Sequence, residues 1–121
     1  MRRTSKKTAA TDRKIAPLRR AYKAEFAVCQ CCQKRLSEHV HEICRGPYRQ
    51  KAKLLPSCWL TLCDRCHELM GDYSIWPLSK QMALKLIVDP ERFDLKEFHE
   101  VRGQPETFLT LPEIVQHLTM R

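Results

Sequence analysis

Cys29-Gln30-Cys31-Cys32 and Leu62-Cys63-Asp64-Arg65-Cys66-His67 are the stretches on which the reading of this chain turns. Cys29-x2-Cys32 and Cys63-x2-Cys66 repeat one spacing, with thirty residues between them. Zinc takes four tetrahedral thiolate or imidazole ligands, and a C-x2-C turn brings two sulfurs to one ion without strain. Two such pairs predict a structural zinc held by Cys29, Cys32, Cys63 and Cys66. A single pair would also fit a thiol redox motif, but neither pair is flanked by the alternating strands and helices that such a motif uses. Cys31 offers only a C-x-C alternative to Cys32, which is poorer geometry. Cys44 and Cys58 are left over and read as small buried apolar residues.

The chain has 121 residues, seven of them Cys and five His. That length suits one small domain, or one with a tail. With 43% hydrophobic and 30% charged residues, a globular protein is expected. No run of 18 apolar residues is present, so no membrane partner is expected. No apolar stretch follows Met1-Arg2-Arg3-Thr4-Ser5-Lys6-Lys7, so the start does not read as a secretory signal, and a cytoplasmic protein is expected. An odd number of Cys in that setting favours metal over a disulfide framework. Three Gly argue against Gly-rich phosphate loops. Residues 26–72 are too few to fold on a hydrophobic core alone, so the metal would contribute directly to folding.

The net charge is +8, and all of the excess lies in residues 1–23. Arg2, Arg3, Lys6, Lys7, Arg13, Lys14, Arg19, Arg20 and Lys23 face a single acid there, Asp12, whereas bases and acids cancel over 24–121. Residues 1–14 lack a hydrophobic period, so 1–23 is expected to be a disordered basic arm. Such an arm either neutralises nucleic-acid phosphates or is a solvated tail. It has no amphipathic apolar face of the kind a membrane surface requires.

A short helix is allowed at Pro17–Tyr22, inside a transitional stretch over 15–25, and another over 67–72, ended by Gly71-Asp72. Residues 73–121 contain no Cys and read as a helical C-terminal region. One helix follows Pro77 and runs to about Val88, with a strand over 84–88 as the competing assignment. Asp94 with Glu97, and Thr110 with Glu113, have capping-box spacing and start two more. Pro90, Pro105 and Pro112 fall at the joints.

Between the Cys pairs lies Glu38-His39-Val40-His41-Glu42-Ile43-Cys44. On a strand His39 and His41 point to one face and Glu42 to the other. The zinc would tie this segment to the second knuckle, so that His41 or its neighbours face His67. A second metal site of imidazole and carboxylate ligands then becomes available.

Taken together, these motifs resemble the zinc-knuckle type of HNH endonuclease, a group with many phage-encoded members, over roughly residues 24–72. The matching residues are Cys29-x2-Cys32, His41-Glu42-Ile43 and Leu62-Cys63-x2-Cys66-His67. The resemblance implies an α+β fold with a small ββα-metal (HNH) core, stapled by the four-cysteine zinc site and followed by helices. It implies hydrolysis of phosphodiester bonds in DNA at a catalytic divalent cation, Mg2+ or another, with a His activating water. His41, Glu42 and His67 are the catalytic and metal-binding set, with His39 in reserve. Registering on Ile43 makes His41 the ligand and Glu42 the base, whereas the chemistry of imidazole and carboxylate favours the reverse. The family's central Asn falls at Cys58; the chain contains no Asn, and Ser57 offers a hydroxyl beside that position.

Arg45, Arg49, Lys51 and Lys53 follow, with no acid between Ile43 and Cys63. A basic loop beside such a site suits DNA, or RNA. The organisation expected is therefore a basic arm over 1–23, an HNH-like zinc-binding domain over 24–72 and a helical extension over 73–121. Two other readings are a non-catalytic nucleic-acid-binding zinc module with a degenerate HNH site, and an interaction module built on the helical tail.

Overall fold

The structure, a computed structural model, describes residues 6–44 and 48–119. Strand β1 (His39–Glu42) pairs antiparallel with β2 (Trp59–Leu62), in the register His39↔Leu62, Val40↔Thr61, His41↔Leu60 and Glu42↔Trp59. Because side chains alternate along a strand, His39, His41, Leu60 and Leu62 share one face, and Val40, Glu42, Trp59 and Thr61 the other. All four β2 residues are buried, so both faces of this small sheet are covered.

The face bearing Glu42 and Trp59 is covered by α1 (Lys6–Glu25). This helix corrects the expectation that 1–23 is a disordered arm, for all of that segment from Lys6 onward. Net charge and mean hydropathy hide a sparse stripe: Ile15, Arg19 and Tyr22 recur at i, i+4 and i+7, one helix face. Ile15 and Tyr22 are buried, the Tyr22 ring packs against Phe26 and Trp59 at 5.0 and 5.6 Å, and Arg19 pairs with Glu42. Docking thus supplies what propensity does not, since Pro17 in the helix interior removes a backbone donor.

The opposite face is covered by α3 (Asp64–Met70), which leaves β2 through Cys63. It begins earlier than the expected 67–72 and ends at Gly71 as expected. Between the strands lie α2 (Arg49–Ala52) and a 3-10 turn over Pro56–Cys58. Then come α4 (Leu78–Val88), α5 (Leu95–Arg102) and α6 (Leu111–Thr119). Residues 84–88 are helical, so the competing strand is not formed. Asp94 caps α5 by accepting from the Glu97 N–H at 2.9 Å, and Gly103, at φ 62°, closes it in the left-handed conformation that glycine adopts without strain. At α6 the Thr110 hydroxyl accepts from the Glu113 N–H at 3.4 Å and donates to its carboxylate at 3.1 Å.

One hydrophobic cluster runs from Cys29, Ile43, Leu60 and Met70 to Met82, Phe98, Leu109 and Ile114, so the C-terminal helices share the core of the cysteine-rich region. Beneath α1 lies a polar knot. Lys85 Nζ, fully buried, sits 2.7–2.9 Å from the Tyr22 hydroxyl, the Pro56 and Trp59 carbonyls and the Asp89 carboxylate. Arg92 continues it, donating to Asp89 and to Glu25 of α1. No helix among the described residues is long and apolar enough to cross a membrane.

Candidate metal centre and imidazole face

The first knuckle is a tight turn. Val28 bridges Leu36, the Cys29 N–H donates to Arg35 at 2.8 Å, and Gln33, at φ 61°, returns its N–H to Cys29 at 3.0 Å. Gln30 ties this turn to β2: its backbone N–H reaches the Thr61 carbonyl at 2.9 Å, and its side-chain oxygen accepts from the Thr61 N–H at 2.7 Å. The second pair sits at the start of α3, where Cys63 is the N-cap and Cys66 lies in the first turn. The sulfurs of Cys29, Cys32, Cys63 and Cys66 all lie within 4.8 Å of one another, with Cys32 and Cys63 at 4.0 Å. Four thiolates around a zinc at about 2.3 Å are about 3.8 Å apart, so the cluster has the dimensions of a tetrahedral site. Backbone N–H groups of Lys34 and Arg35 point at the Cys32 sulfur, and against some burial they lower its thiol to about 6, favouring the thiolate a metal needs. The four cysteines thus form a cluster able to bind a metal such as zinc. Cys31 stands outside it, with its thiol raised by burial.

Three imidazoles meet on the sheet face under α3. The His67 ring stacks on His39 at 4.5 Å and meets His41 edge-on at 5.5 Å. His41 is buried, and its Nε2 lies 2.8 Å from Gln81 Oε1. The Gln81 amide nitrogen donates to the carbonyls of Met70 and Trp76 at 3.3 and 2.8 Å. Its oxygen therefore faces His41 as an acceptor, so His41 carries its proton on Nε2 and keeps its lone pair on Nδ1. Burial pushes the His41 pKa down to about 4, against the Gln81 hydrogen bond, which raises it, and with a further lowering from His67.

In a histidine NMR titration, His41 should therefore stay neutral from pH 8 to below 5. The unfolded imidazole titrates near its ordinary value of about 6.5 and binds protons that the folded one refuses. The contribution of His41 to stability is then full above pH 6.5 and disappears as pH falls towards 4, by about 3 kcal/mol in all. A His41 midpoint between 6 and 7 would contradict this.

The acid that joins the imidazoles is not the expected one. Glu42 lies on the opposite face, buried and paired with Arg19, whose guanidinium also sits 5.6 Å from the Trp59 ring centre. The expected catalytic set of His41, Glu42 and His67 is therefore not brought together, because strand alternation separates Glu42 from the two histidines. Asp64 takes the place, as the Nε2 partner of His39. Glu38, His39 and Asp64 present ligand atoms within 4.8 Å of one another. Their two carboxylates abut: hydrogen bonding with Asp64 raises the Glu38 pKa, and the same contact, together with His39, lowers that of Asp64. Sequence reasoning missed Asp64, although it sits inside the second C-x2-C. It also missed Gln81, whose only signal was an amide beside the apolar run Met82–Val88.

Of the basic loop, Arg45 lies outside the described residues, Arg49 opens α2, Lys51 is exposed and Lys53 half-buried. Ser57 does not face the imidazoles; its hydroxyl donates to the Glu97 carboxylate. Scans of the chain against protein-family models, curated proteins and solved structures found no match.

Proposed function

We propose that this protein is a zinc-stapled, HNH-like nucleic-acid-binding protein that hydrolyses phosphodiester bonds with a divalent cation. The observation that carries this reading is the meeting of His39, His67, Asp64 and Glu38 on one exposed face beside the four-cysteine cluster. The order β1, β2, α3, with one C-x2-C pair before β1 and one at the start of α3, supports the ββα core that the resemblance implies. Zinc at Cys29, Cys32, Cys63 and Cys66 is structural in this reading, since all four positions are protein thiolates and no coordination site is left open.

Glu38, His39 and Asp64 are the groups that would hold the catalytic ion, a mixed oxygen and nitrogen set suited to Mg2+ or Mn2+. Bound there, such an ion would supply Lewis-acid stabilisation of charge on the phosphodiester oxygens. His67 stacks on His39 and is the imidazole placed to take a proton from water, while buried His41 keeps its neutral tautomer and packs against the edge of His67. Exposed Lys14, Arg20 and Lys23 on α1, with Lys51, provide phosphate contacts. DNA is the expected substrate and RNA the alternative. Free cysteines suit a reducing compartment such as the cytoplasm.

Plasmid nicking in Mg2+ or Mn2+ tests the reading. His39→Ala and Asp64→Asn should each lower the nicking rate by about 100-fold or more, while zinc content stays at one per chain. Glu42→Gln should change stability more than metal dependence. Parent and variants nicking alike, or not at all, would remove the catalytic assignment. A second reading, a non-catalytic binding module, is favoured by the engagement of Glu42 with Arg19 and of His41 with Gln81. It forecasts salt-sensitive DNA retention with no nicking.

A further inference from the structure

Two cysteines remain outside the metal cluster and its knuckle. Cys44 ends the segment that leaves β1, and Cys58 closes the 3-10 turn that enters β2. The Ile43 N–H donates to the Cys58 carbonyl at 2.8 Å, which fixes the two backbones side by side. The Cys44 and Cys58 sulfurs lie 3.7 Å apart, and both residues are fully buried. Arg102 is the third member of the group. Its guanidinium is packed among the rings of Tyr48, Phe108 and Phe98, at 4.5, 5.2 and 5.6 Å, and the Cys58 thiol first, then the Arg102 charge, lower the Cys44 pKa against its burial. A cation beside one thiol, and a second thiol in contact with it, is the arrangement in which one sulfur is activated and the other can resolve its oxidised form. Ser57, whose hydroxyl lies 4.0 Å from the Cys58 sulfur, marks the far side of the pair.

We propose that Cys44 and Cys58 are a modification site at which a hydroperoxide forms an internal disulfide, independently of the four-cysteine cluster. The Cys44 thiolate attacks one oxygen of hydrogen peroxide. The O–O bond breaks, the other oxygen leaves as hydroxide and is protonated to water, and Cys44 becomes a sulfenic acid. Cys58 then gives up its thiol proton and attacks the Cys44 sulfur. The S–S bond forms, the S–O bond breaks, and a second water leaves. The two sulfurs lose two electrons, and one hydroperoxide gains them. The sulfurs must close from 3.7 Å to about 2.0 Å, a movement on the scale of side-chain rotation. Since both sulfurs are out of reach of solvent, the reaction waits on local opening near the end of β1 and runs more slowly than at an exposed thiol. The bond closes a ring around residues 44–58, the segment that carries Arg45, Arg49, Lys51 and Lys53.

The test uses the full, zinc-loaded chain, reduced and then exposed to a small molar excess of hydrogen peroxide. Remaining thiols are alkylated, and the protein is digested for mass spectrometry. The expected result is a Cys44–Cys58 cross-linked peptide, lighter by two hydrogens, with zinc still bound at one per chain and reversal by dithiothreitol. Cys58→Ser should accumulate a dimedone-trappable sulfenic acid at Cys44 and no cross-link. Cys44→Ser should give neither. Zinc loss with cross-links among Cys29, Cys32, Cys63 and Cys66 before any Cys44–Cys58 bond forms would overturn the proposal. So would Cys44 and Cys58 remaining fully alkylated; both outcomes are read on the unmutated chain.

Discussion

Cys63→Ser should leave the region around the two strands unfolded and zinc-free. Cys63 is buried, follows β2, caps α3 and supplies one of four sulfurs that lie within 4.8 Å of each other. Structural zinc in small thiolate sites contributes on the order of 10 kcal/mol or more at neutral pH, which is comparable to the whole stability of a domain this size. A three-thiolate remnant retains only part of that. Far-UV circular dichroism and Trp59 fluorescence should both report loss of native structure, and elemental analysis should fall from one zinc per chain to nearly none. A strong chelator should do the same to the parent, faster at low pH, where the thiolates are protonated. A variant that melts like the parent, or a parent purified without zinc, would refute the assignment.

Lys85→Ala should cost about 3–5 kcal/mol, the range for breaking a buried ion pair by removing one partner. Lys85 Nζ is the hub at which α1, the 3-10 turn, β2 and α4 meet, through Tyr22, Pro56, Trp59 and Asp89. Burial lowers the Lys85 pKa while the Asp89 carboxylate opposes that shift, so the ammonium depends on this pairing. Without it the buried Asp89 carboxylate keeps Tyr22 and Arg92, but the Pro56 and Trp59 carbonyls lose a donor. Tyr22 also loses a partner, so α1 should loosen first. Urea melts give the stability loss, and limited proteolysis should cut within Lys6–Glu25 before the core. Lys85→Met with Asp89→Leu should recover part of the loss, because the pair is then removed together. A Lys85→Ala variant within about 1 kcal/mol of the parent would contradict this account.

What could be read in the sequence was local. The two C-x2-C spacings place four sulfurs at one point, and the Asp94–Glu97 and Thr110–Glu113 pairs mark helix starts that form there. The alternation that puts His39 and His41 together and Glu42 opposite was also legible, and it already contained the reason Glu42 cannot join them. The partners that decide each side chain's role were not legible, because they are far apart in sequence. Arg19 reaches Glu42 across 23 residues, Gln81 reaches His41 across 40, and Lys85 reaches Tyr22 across 63. The helix α1 was missed for the same reason: Ile15 and Tyr22 form a face only when Trp59 lies under it. Cys44 and Cys58 read as small apolar fillers until the strand ends brought their sulfurs together.

Gln81 has a consequence for anyone cutting this protein into pieces. The motif residues all lie before α4, yet the amide that sets the His41 tautomer lies on it, as does the ammonium that anchors α1. A fragment ending at residue 72 would keep every cysteine of the cluster and could still titrate one equivalent of metal. It would have lost the second layer that makes the imidazole face a defined chemical object. Metal stoichiometry and native architecture are therefore separable observables here, and the motif is not a portable cassette. Grafted elsewhere, it would need a glutamine and a lysine from the host.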